Sequence, residues 1–194
     1  MRAIILAGGL GTRLKPFTTL IPKPLVPIGG KYSILEIIIK QLAANNFKEI
    51  TIALNHYSHL IMSYFGNGKK FGVKINYSTE KKPLGTIGPL KIIKNLPENF
   101  LVLNGDILTN INFKKYYNLH IKNKKNLSVC TFQRKQKIDY GILEMRKNIL
   151  QNFKEKPSLN LNVSMGIYFI NKKILKNIKN KFFWFDDLMK YTLK

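Results

Sequence analysis

The 194-residue chain has one cysteine, Cys130, so it can close no internal disulfide and can carry no CxxC metal or redox motif. Cys130 lies in Leu127-Ser-Val-Cys-Thr-Phe132 and reads as a buried strand residue. Long apolar runs are missing too. The apolar-rich stretch Ile34–Ile39 is far too short to cross a bilayer, and Met1-Arg2 leads into Ala-Ile-Ile-Leu6 without the extended apolar core of a signal peptide. A soluble, cytoplasmic protein with no membrane partner is expected. Neither H-E-x-x-H nor G-x-S-x-G occurs, which removes the starting points for a metalloprotease and a serine hydrolase. The three histidines, His56, His59 and His120, read as surface residues.

Acidic residues are scarce. Ten Asp plus Glu face thirty-three Lys plus Arg, a formal charge of +23 that suits a polyanionic partner. The lysines are scattered, however, from Lys69-Lys70 through Lys114-Lys115 and Lys122–Lys125 to Lys172-Lys173 and Lys176–Lys181. No helix-turn-helix, RRM or zinc pattern accompanies them, so nucleic acid is not expected as a partner. With 45% hydrophobic residues the chain can bury a full core, and its length favours a single domain over 1–194.

Short β-rich runs alternate with helical patterns through the first half, the signature of a parallel sheet covered by helices. Strands are expected at Arg2–Leu6, Glu49–Leu54, Val73–Ser78 and Phe100–Leu103, and helices after a Ser33 cap, at Ser58–Phe65 and at Thr86–Ile93. Phe100-Leu-Val-Leu103 is a continuous apolar run, as a doubly covered central strand should be, and it delivers Asn104-Gly-Asp106 to a strand's C-terminal end. Beyond Asn126 come four shorter strands, Leu127–Phe132, Gly141–Met145, Ile149–Phe153 and Val163–Ile170, expected to extend the sheet. Lys173–Ile178 and Phe185–Leu193 read as helical.

The chemistry concentrates after the first strand. Gly8, Gly9 and Gly11 are followed by Thr12-Arg13 and then by Pro22-Lys23-Pro24. A P-loop would need a glycine followed by Lys-Ser or Lys-Thr, and a Rossmann fingerprint would need a third glycine where Leu14 stands. A plain structural turn remains open, but it requires neither cation. Bare glycine backbone lets N–H groups approach phosphate oxygens, and Arg13 adds a planar donor fork. Lys23, between two φ-restricted prolines, is a second, separately aimed charge. A nucleoside triphosphate satisfies all of these features.

These residues resemble the sugar-1-phosphate nucleotidyltransferases. The family's opening signature stands here as Leu6-Ala-Gly-Gly-Leu-Gly-Thr-Arg-Leu-Lys-Pro-Phe-Thr18 with Pro22-Lys-Pro-Leu25. Leu84-Gly-Thr-Ile-Gly-Pro-Leu90, Asn104-Gly-Asp106, Tyr140-Gly141, Glu155-Lys-Pro157 and Ser164-Met-Gly-Ile-Tyr168 follow in the family's order. The resemblance implies an α/β, Rossmann-like three-layer α/β/α fold with a mixed, mostly parallel sheet, similar to the nucleotide-diphospho-sugar transferases. It implies a nucleotide site at Leu6, Ala7, Gly8, Gly9, Gly11, Thr12, Arg13, Glu80, Gly85 and Asn104, and catalytic roles for Arg13, Lys23 and Asp106. Gly85 would pack against the base, and Asp106 would bind Mg²⁺. Lys23, Tyr140, Gly141, Glu155 and Lys156 would receive the sugar phosphate, Gly141 leaving room for the ring. The implied substrates are a nucleoside triphosphate and a sugar-1-phosphate. The Leu-Gly-Thr-x-Gly block is more similar to mannose- or heptose-phosphate guanylyltransferases, which favours GTP.

The pattern also departs from the family. Members run on to a W-x-D-x-G block with a second metal-binding Asp, and this chain reaches Lys194 without it. Trp184-Phe-Asp186 is read as the start of the preceding helix, with Asp186 as its cap. Tyr32-Ser33, Ile87 and Ser164 stand where Lys-Pro, Ala and Asn are common. A truncated, inactive form, or a module that binds nucleotide and sugar phosphate without catalysis, is the alternative reading. Oligomerisation is left open.

Overall fold

The structure is a computed structural model and describes residues 1–9, 11, 18, 21–55, 58–80, 82, 84–177 and 183–192. Four parallel strands form one side of a six-stranded sheet: β1 (Arg2–Leu6), β4 (Glu49–Leu54), β5 (Lys74–Thr79) and β6 (Asn99–Asn104). Two long strands, β7 (Leu127–Lys137) and β10 (Ser158–Asn171), complete it in the order β5-β4-β1-β6-β10-β7, with β10 antiparallel to β6. The sheet is mixed and mostly parallel, as expected. Its central strands are apolar on both faces because helices cover them: Ala3, Ile4 and Ile5 of β1 and Phe100–Leu103 of β6 are fully buried.

Helix α1 (Ile34–Ala44) begins where expected. The Ser33 Oγ accepts the Glu36 N–H at 3.2 Å, and Leu35, Ile38, Ile39 and Leu42 present one buried stripe. A two-stranded ribbon, β2 (Pro27–Ile28) with β3 (Tyr32–Ser33), leads into it, and α2 (Ser58–Phe65) buries Ile61 and Phe65. The segment expected to be helical over Thr86–Ile93 forms only α3 (Pro89–Ile92). Proline is suited to a first helical position, whereas Gly85 before it has φ +78° and belongs to a turn. Helix α4 (Phe113–Lys122) was not expected. It is polar overall and buries only Phe113 and His120, but Asn112 caps it by accepting the Lys115 N–H at 2.8 Å.

Two compact units are present, residues 1–128 with 166–194, and residues 129–165. In the second, β8 (Ile142–Arg146) and β9 (Ile149–Lys154) form a separate two-stranded sheet rather than extending the main one. Their two-residue connection, Lys147-Asn148, has positive φ at both positions, the geometry whose twist matches a hairpin.

Three side-chain expectations change. His120 is not a surface residue: it is 2% exposed and lies with Nδ1 2.8 Å from the Ser128 Oγ, under the Phe169 ring. Cys130 is in a strand but only half-buried, and burial pushes its thiol up to about 11, which keeps it out of thiolate chemistry. At the start of α5 (Phe185–Thr192) it is Asp187, not Asp186, that caps, its Oδ2 accepting the Trp184 N–H at 3.0 Å. Asp186 is exposed and pairs loosely with Lys190. His59 is exposed as expected, and His56 lies outside the described residues. Among the described residues, no helix is long and apolar enough to cross a membrane.

Candidate active site

Strand order makes the first claim on a site. β1 is flanked by β4 on one side and β6 on the other, and the chain visits β4 and β5 before returning to β6. The loops leaving β1 and β6 therefore part company at their C-terminal ends, which is where open α/β sheets leave a ligand crevice. Glycine-rich backbone stands on one side of it and Asp106 on the other.

The two loops touch at their base. The Gly105 N–H donates to the Leu6 carbonyl at 2.8 Å, and a Cβ added to Gly105 would come within 3.0 Å of that oxygen. Buried Ala7 donates its N–H to the Ala53 carbonyl at 2.9 Å, and Gly8 lies against Asn55 just past β4. Gly11, with φ +62°, faces the Thr18 methyl and the Lys23 Cβ, and the Thr18 hydroxyl donates to its carbonyl at 2.9 Å. Gly9 differs from both: among the described residues, nothing stands within 4 Å of where its Cβ would be. Thr12 and Arg13 lie outside the described residues.

Lys23 opens a single 3-10 turn, Lys23–Leu25, anchored by buried Pro24. Its ammonium forms an ion pair with the Asp106 carboxylate, so the expected cation and the expected metal ligand do meet. Asn104, the last residue of β6, places its amide over Gly166 of β10; a Cβ there would come within 2.5 Å of the Asn104 Nδ2. Gly166 is thus part of the site's wall, and its signal was already present in the Ser164–Tyr168 block.

Glu80 follows β5, and its Oε2 accepts the Leu84 N–H at 2.8 Å, closing the loop that carries Gly85. Burial raises its carboxyl above the usual range, and the Leu84 N–H partly offsets this. Gly85 has a protein neighbour where its side chain would be: a Cβ would stand 2.6 Å from the Phe183 carbonyl oxygen.

Tyr140, Gly141, Glu155 and Lys156 belong to the second unit. The β8–β9 hairpin brings their two blocks together, with the Glu155 Oε2 3.1 Å and the edge of the Phe153 ring 2.6 Å from a Cβ built on Gly141. The room at Gly141 is therefore taken first by Phe153. Tyr140 is 78% exposed. Lys156 has φ +41°, a strained value for a residue with a Cβ.

The family model described as nucleotidyl transferase matches residues 2–184. The chain belongs to that family. Its relatives include a D-glycero-alpha-D-manno-heptose 1-phosphate guanylyltransferase of Aneurinibacillus thermoaerophilus, 34% identical over 97% of this chain and 84% of that protein. A mannose-1-phosphate guanyltransferase of Yarrowia lipolytica is 33% identical over 90% of this chain. The chain spans 50% of that enzyme's length, and 52% of a mannose-1-phosphate guanyltransferase of Aspergillus fumigatus. Among solved structures, HddC from Yersinia pseudotuberculosis complexed with GMP-PN is 26% identical, with a TM-score of 0.71 over 95% of this chain and 82% of that one.

A divalent cation would find one carboxylate here. Asp106 is at the crevice with its side chain 38% exposed, and no cluster of three or more His, Cys, Asp or Glu occurs among the described residues. That donor set fits Mg²⁺, which commonly takes one or two carboxylates and completes its shell with water and substrate phosphates.

Proposed function

We propose that this nucleotidyl transferase joins a nucleoside triphosphate, GTP in preference, to a manno-configured sugar-1-phosphate, releasing pyrophosphate. The observation that carries the reading is the Lys23–Asp106 pair, with Lys23 packed against Gly11 of the glycine loop, at the β1–β6 crevice. The relatives' names add the substrate class, because the heptose and mannose enzymes share both the guanylyl donor and the manno sugar.

A sugar-1-phosphate oxygen attacks the α-phosphorus in line, the new P–O bond forms, and the bond to the β-phosphate oxygen breaks with its electron pair leaving on pyrophosphate. The attacking oxygen is already anionic, so no general base is required. The obstacle is repulsion between two polyanions, and catalysis consists of holding them in line while charge is offset. Gly9 gives the triphosphate a backbone surface, and Lys23 is free to turn from Asp106 to a phosphate oxygen. Arg13 adds a second cation, and Lys156 grips the sugar's phosphate while Glu155 accepts hydroxyl hydrogen bonds. Mg²⁺ held by Asp106 would supply further charge neutralisation on the phosphates. Such a reaction belongs in the cytoplasm, where the triphosphate is available.

The test is pyrophosphate release with Mg²⁺, each of the four triphosphates, and mannose-, glucose-, N-acetylglucosamine- and heptose-1-phosphates. Turnover confined to GTP with a manno sugar is expected; turnover only with other pairs would overturn the substrate assignment. Saturable GTP binding with no pyrophosphate release would instead identify a module that binds both ligands without joining them.

A further inference from the structure

The loop Leu84–Gly88 does not stand by itself. The Phe183 N–H donates to the Leu84 carbonyl at 3.0 Å and the Phe183 carbonyl accepts the Ile87 N–H at 3.0 Å, so residue 183 pairs with this loop on both sides of Gly85. Only glycine permits that approach, at φ +78° and with the Phe183 oxygen 2.6 Å from a would-be Cβ. One residue on, the Thr86 Oγ1 accepts the Phe185 N–H at 2.9 Å. That N–H is the first of α5 and would otherwise have no partner within its helix. The helix is then locked from the other side: the Phe185 ring stacks on Tyr168 at 3.6 Å between centroids and 14° between planes, and Leu188 is fully buried.

From this geometry we infer that the C-terminal segment 183–188 is a brace for the nucleotide-recognising loop, and that Thr86 is the positioning residue through which the brace acts. The inference rests on the nucleotide reading above. Thr86 touches no reacting atom. By capping α5 it fixes where Gly85 and Ile87 lie relative to β10, and hence the shape of the surface offered to the nucleotide. The match of residues 84–88 to the family's pattern explains neither the threonine hydroxyl's partner nor the glycine's neighbour. Both are supplied from about a hundred residues away in the chain.

The experiment compares the full chain with Thr86→Val, which keeps the shape and removes the acceptor, and Thr86→Ser, which restores it. Binding of a fluorescent GTP analogue is read by anisotropy, and KM for sugar-1-phosphate by pyrophosphate release. Loss of one hydrogen bond should weaken GTP-analogue binding by about fivefold in the valine variant. The sugar-1-phosphate KM should hold, and serine should recover the binding. Unchanged nucleotide affinity, or equal weakening toward both substrates, would overturn the brace. If Thr86→Val does not fold, Phe185→Leu, which removes the ring stack but keeps the position apolar, must show the same one-sided loss. A wild-type chain that binds no triphosphate would instead remove the nucleotide reading and the brace with it.

Discussion

The Lys23 ammonium is ion-paired with the Asp106 carboxylate, 83 residues further along the chain. The pair joins the turn after the glycine loop to the end of the central strand, and it does so in partial contact with solvent, with the two side chains 30% and 38% exposed. Pairs at that exposure contribute about 0–1 kcal/mol to stability. The two charges are therefore worth more to a ligand than to the fold. Asp106→Ala should reduce pyrophosphate release by at least about a hundredfold. Its unfolding free energy in urea should stay within ~1 kcal/mol of wild type. Mg²⁺-dependent turnover surviving in this variant would remove Asp106 from the mechanism.

The glycines of the first loop should separate into two classes. Gly11 has positive φ, with the Thr18 methyl and Lys23 Cβ about it, so Gly11→Ala should cost about 1–2 kcal/mol of stability. A methyl group at Gly9 meets no atom of the described residues, and Gly9→Ala should leave the thermal midpoint nearly unchanged while weakening GTP binding at least several-fold. Differential scanning calorimetry beside equilibrium nucleotide binding decides it. Equal nucleotide affinity in Gly9→Ala and wild type would mean that the open face is not where phosphate approaches.

What could be read from residue order, and what could not, follows physical lines. β1, β4 and α1 are legible because their signals are local: apolar runs buried on both faces, and a serine cap before a 3.6-residue stripe. The proximity of Lys23 and Asp106 is legible through the motif order, since both positions fall where a crossover topology turns loops toward one edge. Helix α4 is harder to read: Phe113, Tyr116, Tyr117 and Ile121 recur at helical spacing, but the lysines and asparagine among them make the segment polar overall, and only Phe113 and His120 are buried. Gly85 shows the same limit at the site. Its sequence announces close approach, but the partner, the Phe183 backbone, lies 98 positions away and carries no side-chain signature.

Lys156 offers a way to separate strain from function. Its φ of +41° penalises any residue with a Cβ, and glycine escapes the penalty. Lys156→Gly should gain up to about 1 kcal/mol of stability while Lys156→Ala gains nothing. Both should raise the sugar-1-phosphate KM, because both lose the ammonium, and both should leave GTP-analogue binding intact. A glycine variant that is more stable and keeps the wild-type KM would reduce Lys156 to a turn residue.

His120 gives the fold a pH dependence of definite sign. Burial lowers its pKa from the ordinary 6.5, its Nδ1 is engaged by Ser128, and its buried Nε2 has no partner among the described residues. A protonated ring would carry its charge out of water with an N–H on both nitrogens and no acceptor for Nε2 among the described residues, so burial favours the neutral ring in the folded state. The unfolded chain takes up the proton as pH falls below about 6.5, and by linkage the unfolding free energy must then decline, having been level above that pH. Glu80 works in the opposite direction, because its raised carboxyl is protonated in the folded state first, and this partly masks the decline. The two are separated by comparison: urea unfolding at pH 7.5 and pH 5.5 should show a larger loss for wild type than for His120→Leu, whatever the variant's absolute stability. Parallel losses in the two proteins would place the titrating group elsewhere.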